Sequence, residues 1–235
     1  MEGLRIEEYA RFGTEEPWVA RLMLGLPELV YAVPTFGSTR DDFRAKLGEV
    51  FESLGMAFEA LRDLRARTAA GAAALDVERA YESFYGHLWS AYKDRFQTAM
   101  RVLGLDIGFL FQRDSRFEAA AGALVEDQPE LSDLVTLMRR DRAEFKKALS
   151  YYRNTYLEHR VSAPDPRLVA AFHRLDSAEN MFENVWQAIE DYVALYVIAN
   201  LPPFIQVIEV PEEDRDASRP TRFQFQVLGL PDTAD

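Results

Sequence analysis

Within seven positions near the middle of the chain, Arg153, Asn154 and His159 combine side chains that act on anions and protons. A guanidinium is always charged and donates two parallel hydrogen bonds, while an imidazole changes protonation near neutral pH. Together they can hold an anion and move a proton beside it. Little else in the sequence offers chemistry. There is no cysteine, hence no thiolate nucleophile, no disulfide and no Cys-based zinc site. None of the three histidines, His87, His159 and His173, has a glutamate three positions before it, so the di-iron pattern of helical proteins is missing. No Gly-x-Ser-x-Gly, Gly-x-Gly-x-x-Gly or Gly-Lys-Ser/Thr stretch occurs either. Neither a metal nor a cofactor is expected. His87 and His173 read as surface or packed histidines, and Tyr81, Phe84, Tyr85, Trp89 and Tyr92, at helical spacing, read as core.

The elements that must position Arg153 and His159 are helices. Phe43, Leu47, Val50, Phe51, Leu54, Phe58 and Leu61 form an apolar stripe, which predicts a first long helix over about 40–66. A second, over about 75–103, carries Val77, Tyr81, Phe84, Leu88, Tyr92, Phe96 and Met100, with Gly104 as its stop. Pro129 opens a third that runs to about Arg160, and the prolines at 164 and 166 end it. A fourth spans about 166–200 and closes at Pro202-Pro203. Between the second and third, residues 106–124 read as a turn and a short helix, and residues 15–33 as a short helix interrupted at Pro27. After residue 203 the period changes to two. Phe204 to Val210 and Phe223-Gln224-Phe225-Gln226-Val227 read as the strands of a hairpin. The expected fold is all-α: an antiparallel bundle of four long helices with a short C-terminal β-hairpin. Three parts follow: an N-terminal segment with a short helix over 1–40, the bundle over 41–200, and the hairpin and tail over 201–235.

Composition narrows the setting. With 48% hydrophobic residues among 235, the chain can bury a core without a covalent staple. The first residues, Met1 to Glu8, lack the basic-then-apolar layout of a secretory leader, and the late apolar run Val193 to Ala199 is far short of a membrane span. A cytoplasmic protein with no membrane partner is expected. The formal charge of −12 opposes non-specific binding to nucleic acid unless basic residues are gathered in one place. They gather between Arg139 and Arg160, where seven basic residues stand against three acidic ones.

The segment Arg153-Asn154-Thr155-Tyr156-Leu157-Glu158-His159 resembles the motif of the HEPN family, an arginine followed directly by a polar residue and then, four to six positions beyond the arginine, by a histidine. The resemblance implies an α-helical bundle that dimerises across the motif, and a metal-independent endoribonuclease acting on single-stranded RNA. It implies catalytic roles for three residues. His159 would serve as base or acid, Arg153 would stabilise the charge on the phosphoryl group, and Asn154 would orient the arginine. DNA, lacking the 2′-hydroxyl, is not an expected substrate. The other outcome of the same resemblance is a non-catalytic binding or regulatory module whose protein partner is unknown.

Geometry adds a condition. In a straight helix, Arg153 and His159 would stand about 120° apart with about 9 Å of rise, so they can meet only where the helix ends. The proline stop at 164 supplies such an end. Glu158 places a carboxylate beside the histidine, which would raise its pKa or repel phosphate. Arg139, Arg142 and Lys146, three and then four residues apart, read either as a phosphate-tracking stripe together with Arg160 or as a solvated helix face whose cations favour the helix C-terminus.

Overall fold

Apolar residues recurring every third or fourth position wind most of the chain into helices, as a computed structural model of residues 16–154, 166–216 and 222–228 shows. Helix α1 joins Pro17–Val19 to Leu26–Tyr31 through a π-helical turn, Ala20–Gly25. The expected interruption at Pro27 does not occur. The wide turn closes with the Leu26 N–H on the Arg21 carbonyl, and Pro27 falls in the next first turn, where its missing N–H costs nothing. Helix α2 (Arg40–Ala69) starts with Asp41 and Asp42 at its positive end and buries the whole predicted stripe from Phe43 to Leu61.

Helix α3 consists of Ala74–Trp89, a π-helical turn Ser90–Arg95, and Phe96–Val102. It stops at Gly104 as expected. Gly104 adopts a φ of 97°, and the N–H groups of Gly104 and Leu105 return to the carbonyls of Arg101 and Met100. A 3-10 turn, Gly108–Phe111, then leads into α4 (Asp114–Asp127), which is longer than the short helix expected there. Pro129–Leu131 forms a 3-10 turn before α5, built from Ser132–Asp141, a π-helical turn Arg142–Lys146, and Lys147–Tyr152. The expected end of this helix near Arg160 lies outside the described residues.

The fourth long span is broken rather than continuous. Helix α6 (Pro166–Phe172) and helix α7 (Leu175–Ala199) are separated at His173 and Arg174, where Arg174 is extended at φ −125° and ψ 137°. Two side-chain interactions stabilise the break. Arg174 pairs with Asp176 at 2.6 Å, and Asp176 Oδ1 also accepts the Ser177 N–H at 2.9 Å inside the first turn of α7. Among the described residues, none of the four predicted spans contains a strand.

Strands β1 (Ile205–Glu209) and β2 (Phe223–Val227) pair antiparallel, with Val207 opposite Phe225. One core draws on all seven helices, α1 included through Trp18, Leu22 and Leu26, and is filled by rings such as Phe43, Phe84, Tyr92, Phe96 and Tyr192. Tyr81, Phe84, Tyr85, Trp89 and Tyr92 are all buried, as their spacing predicts. Among the described residues, no helix is long and apolar enough to cross a membrane.

Candidate functional site

Arg153 and Asn154 follow Tyr152 in π-helical backbone that continues α5. Arg153 Nη1 donates to Asn154 Oδ1 at 2.9 Å, and the guanidinium lies 5.5 Å from the ring centre of Trp89 on α3. The amide therefore holds one edge of the guanidinium while the indole supports its face. Asn154 is exposed and Arg153 half-buried. His159 and Arg160 lie outside the described residues.

The basic residues expected to flank the motif are placed very differently from one another. Arg139 is exposed and paired with Glu118 at 3.0 Å. Arg142 is buried, with 5% of its surface exposed. It donates to the carbonyls of Leu110 and Gln112 and to Asp114 Oδ1 at 2.8 Å, and its guanidinium stacks 4.7 Å from the Phe117 ring. Its fork clamps the 3-10 turn to the start of α4, a structural role that leaves nothing to track phosphate. Lys146 is also buried, at 4% exposed, with Nζ 5.8 Å from the Phe111 ring. The expected surface stripe of Arg139, Arg142 and Lys146 is thus not formed. Asp141, Arg142, Phe145 and Lys146 lie together in the interior, on the face that Leu134, Val135, Met138 and Leu149 also share.

Burial and the nearby cations Arg142, Lys147 and Lys93 bring the Lys146 ammonium down to about 8, with Asp114 opposing. Lys93, on the π-helical turn of α3, lies 5.6 Å from the Trp89 ring, and Trp89 meets Phe111 edge-on at 5.8 Å. Two rings in contact thus carry three cations, Lys93, Lys146 and Arg153. Sequence reasoning assigned Trp89 to packing and missed Lys93. The i, i+4 spacing of Trp89 and Lys93 was a usable signal. Nothing in the sequence pointed to Phe111.

On the other side of Arg153, Tyr152 meets His173 at the α6–α7 break. The Tyr152 hydroxyl is 3.1 Å from His173 Nε2, and the imidazole stacks on Tyr81 at 4.7 Å. Burial pushes the His173 pKa down, against the pull of Glu78. A packed, predominantly neutral imidazole results, in keeping with its reading as a structural histidine.

Deeper in the core, Asp141 is 2% exposed and accepts Arg140 through Oδ1 at 3.1 Å. Its Oδ2 has no hydrogen-bond partner among the described residues. Burial pushes this carboxyl up to about 6 despite Arg140 and the Tyr192 hydroxyl, and Asp191 adds to the rise. The hydroxyls of Tyr92 and Tyr192 face each other at 3.3 Å. A cleft of about 360 Å³ between α1, α2 and α7 is lined by Trp18, Phe58, Arg65, Glu179, Phe182 and Glu183 among others, and by none of the motif residues. Among the described residues, no cluster of His, Asp or Glu side chains has the arrangement of a metal site. Comparison with family models, curated proteins and solved structures returns no match for the chain.

Proposed function

We propose that the chain is a HEPN-like antiparallel helical bundle that cleaves single-stranded RNA without metal, through Arg153, Asn154 and His159 in the cleft of a two-fold homodimer. The observation that carries the reading is the Arg153–Asn154 hydrogen bond in the π-helical backbone after Tyr152. It fixes one edge of a permanently charged group of the kind that stabilises charge on a phosphoryl oxygen. In the reaction, His159 takes the proton of a 2′-hydroxyl, whose oxygen attacks the adjacent phosphorus. Arg153 stabilises the charge on the non-bridging oxygens, and the bond to the 5′-oxygen breaks as that oxygen is protonated. The products are a 2′,3′-cyclic phosphate and a 5′-hydroxyl.

Purified protein in excess EDTA should therefore cut single-stranded RNA, leave a cyclic phosphate and spare DNA. His159→Ala should lower the rate by about 10²–10⁴-fold and Arg153→Ala by a comparable factor. Intact RNA after incubation with wild-type dimer, or equal cutting by His159→Ala, would sink the nuclease. Light scattering at micromolar concentration checks the dimer. A second reading, a non-catalytic binding or regulatory module of the same family, is favoured by the burial of Arg142, which takes one basic group off the surface expected to meet RNA. It predicts a chain that never cuts RNA.

A further inference from the structure

Cations in a chain with 39 acidic and 27 basic residues ordinarily find a carboxylate, and most of the arginines among the described residues do. Lys93 and Lys146 do not. Among the described residues, neither has an ion-pair or hydrogen-bond partner, and each is placed instead against an aromatic ring. Asp114, whose charge bears on Lys146, is already held by Arg142 at 2.8 Å and by Lys147 at 3.1 Å. Arg153 is the second positive group on the Trp89 ring and the third around the two rings. Trp89 itself is 7% exposed, and its Nε1 donor is buried with no acceptor among the described residues.

Like charges gathered in a poorly solvated place repel one another, and a buried ammonium without a counter-charge is costly to keep. An oxyanion with several acceptor atoms relieves both problems at once. A phosphate group suits the arrangement better than a carboxylate, because it carries more charge and offers oxygens in several directions to ammonium and guanidinium donors.

We infer that Lys93, Lys146 and Arg153, gathered around the Trp89 and Phe111 rings between α3 and α5, form a binding site for a phosphate group. The site itself stands on these contacts. Only the identification of its phosphate as an RNA diester rests on the nuclease reading. Burial and neighbouring cations lower the proton affinity of Lys146, and an anion placed beside it would oppose that shift.

Calorimetric titration of the full chain with inorganic pyrophosphate at low salt and pH 7 tests the inference. The wild type should bind one equivalent per chain. Lys146→Met, which keeps the buried stem and removes the charge, should weaken binding about tenfold or more. Lys93→Gln, at a half-buried position that tolerates a polar group, should weaken it severalfold and serves if the Lys146 variant misfolds. Circular dichroism melts should show both variants folded, with Lys146→Met no less stable than the wild type. Failure of the wild type to bind pyrophosphate, or equal binding by both variants, overturns the site. Pyrophosphate binding without RNA cleavage refutes the nuclease and keeps the site, whereas cleavage without pyrophosphate binding refutes the site alone. Displacement of pyrophosphate by single-stranded RNA identifies a diester as the natural ligand. Binding that RNA leaves untouched assigns the site to a free phosphate compound.

Discussion

Asp141 is a carboxyl sealed between α5 and α7, and its burial has a consequence for the pH dependence of stability. Its folded pKa of about 6 lies above the ordinary value of 3.8. Between those two values the folded chain holds the proton more tightly than the unfolded chain, so this group's stabilisation is complete below about 4 and disappears as pH rises through about 6. The charged groups facing it are Arg140, which opposes the shift, and Asp191, which adds to it, with the Tyr192 hydroxyl alongside. Exposed carboxylates such as Glu49, Asp106 and Asp176, held below their usual range by cations or N–H donors, act in the opposite direction and mask it in the raw curve. The difference between wild type and Asp141→Asn isolates it. Urea melts at pH 4 to 7 should show the wild type losing stability relative to the variant as pH rises. A constant difference over that range would mean that Asp141 titrates normally.

Residue chemistry was only partly legible in the sequence, and the unread part was set by tertiary contacts. Arg153 and Asn154 are neighbours in the chain, so their pairing could be anticipated. The fates of Arg142 and Lys146 could not, because the acceptors of Arg142 at Leu110 and Gln112 and the ring beneath Lys146 at Phe111 lie some thirty residues away.

At the scale of elements, stripes with an unbroken period were the most readable. Those of α2 and α3 are buried as their spacing predicts, and Gly104 ends α3 because only a residue without Cβ accepts that backbone geometry at little cost. The π-helical turns were not readable, since one extra residue in a turn leaves the apolar pattern almost unchanged over a short window. The break at His173 was hidden for a related reason: Phe172 and Leu175 keep helical spacing across it. The hairpin's alternation was plain, but its attachment was not. Arg222 reaches Asp191 and Glu190 on α7 and pairs with Glu209 at 2.6 Å, while Arg21 of α1 holds Glu190 from the other side. A two-stranded sheet is marginal by itself, so this ionic cluster should govern whether the hairpin stays docked. Arg222→Ala should lower amide protection in β1 and β2 by about tenfold or more while α3 and α7 exchange as before. Glu190, 1% exposed, keeps Arg21, which limits the damage to the hairpin. Unchanged protection in β1 and β2 would show that packing of Phe223 and Val207 holds the sheet without Arg222.

The whole molecule sets the terms on which any phosphate ligand binds. A formal charge of −12 surrounds a small positive site made of Lys93, Lys146 and Arg153. Had all seven basic residues between Arg139 and Arg160 met the backbone of a single strand, affinity would fall with salt at a log–log slope of about −5. Three cations at one point give a slope of about −2. The acidic remainder flattens it further, because added salt also screens the repulsion between that surface and a polyanion. Fluorescence anisotropy of a labelled single-stranded RNA, measured between 50 and 200 mM salt, should therefore give a slope no steeper than about −2, and weak binding even at the low-salt end. Lys93→Gln should reduce the slope by a fraction of a unit, whereas Arg139→Gln, whose guanidinium is occupied by Glu118, should leave it unchanged. A slope of −4 or beyond would require many phosphates in contact at once, and the point site between α3 and α5 would then have to give way to an extended basic surface.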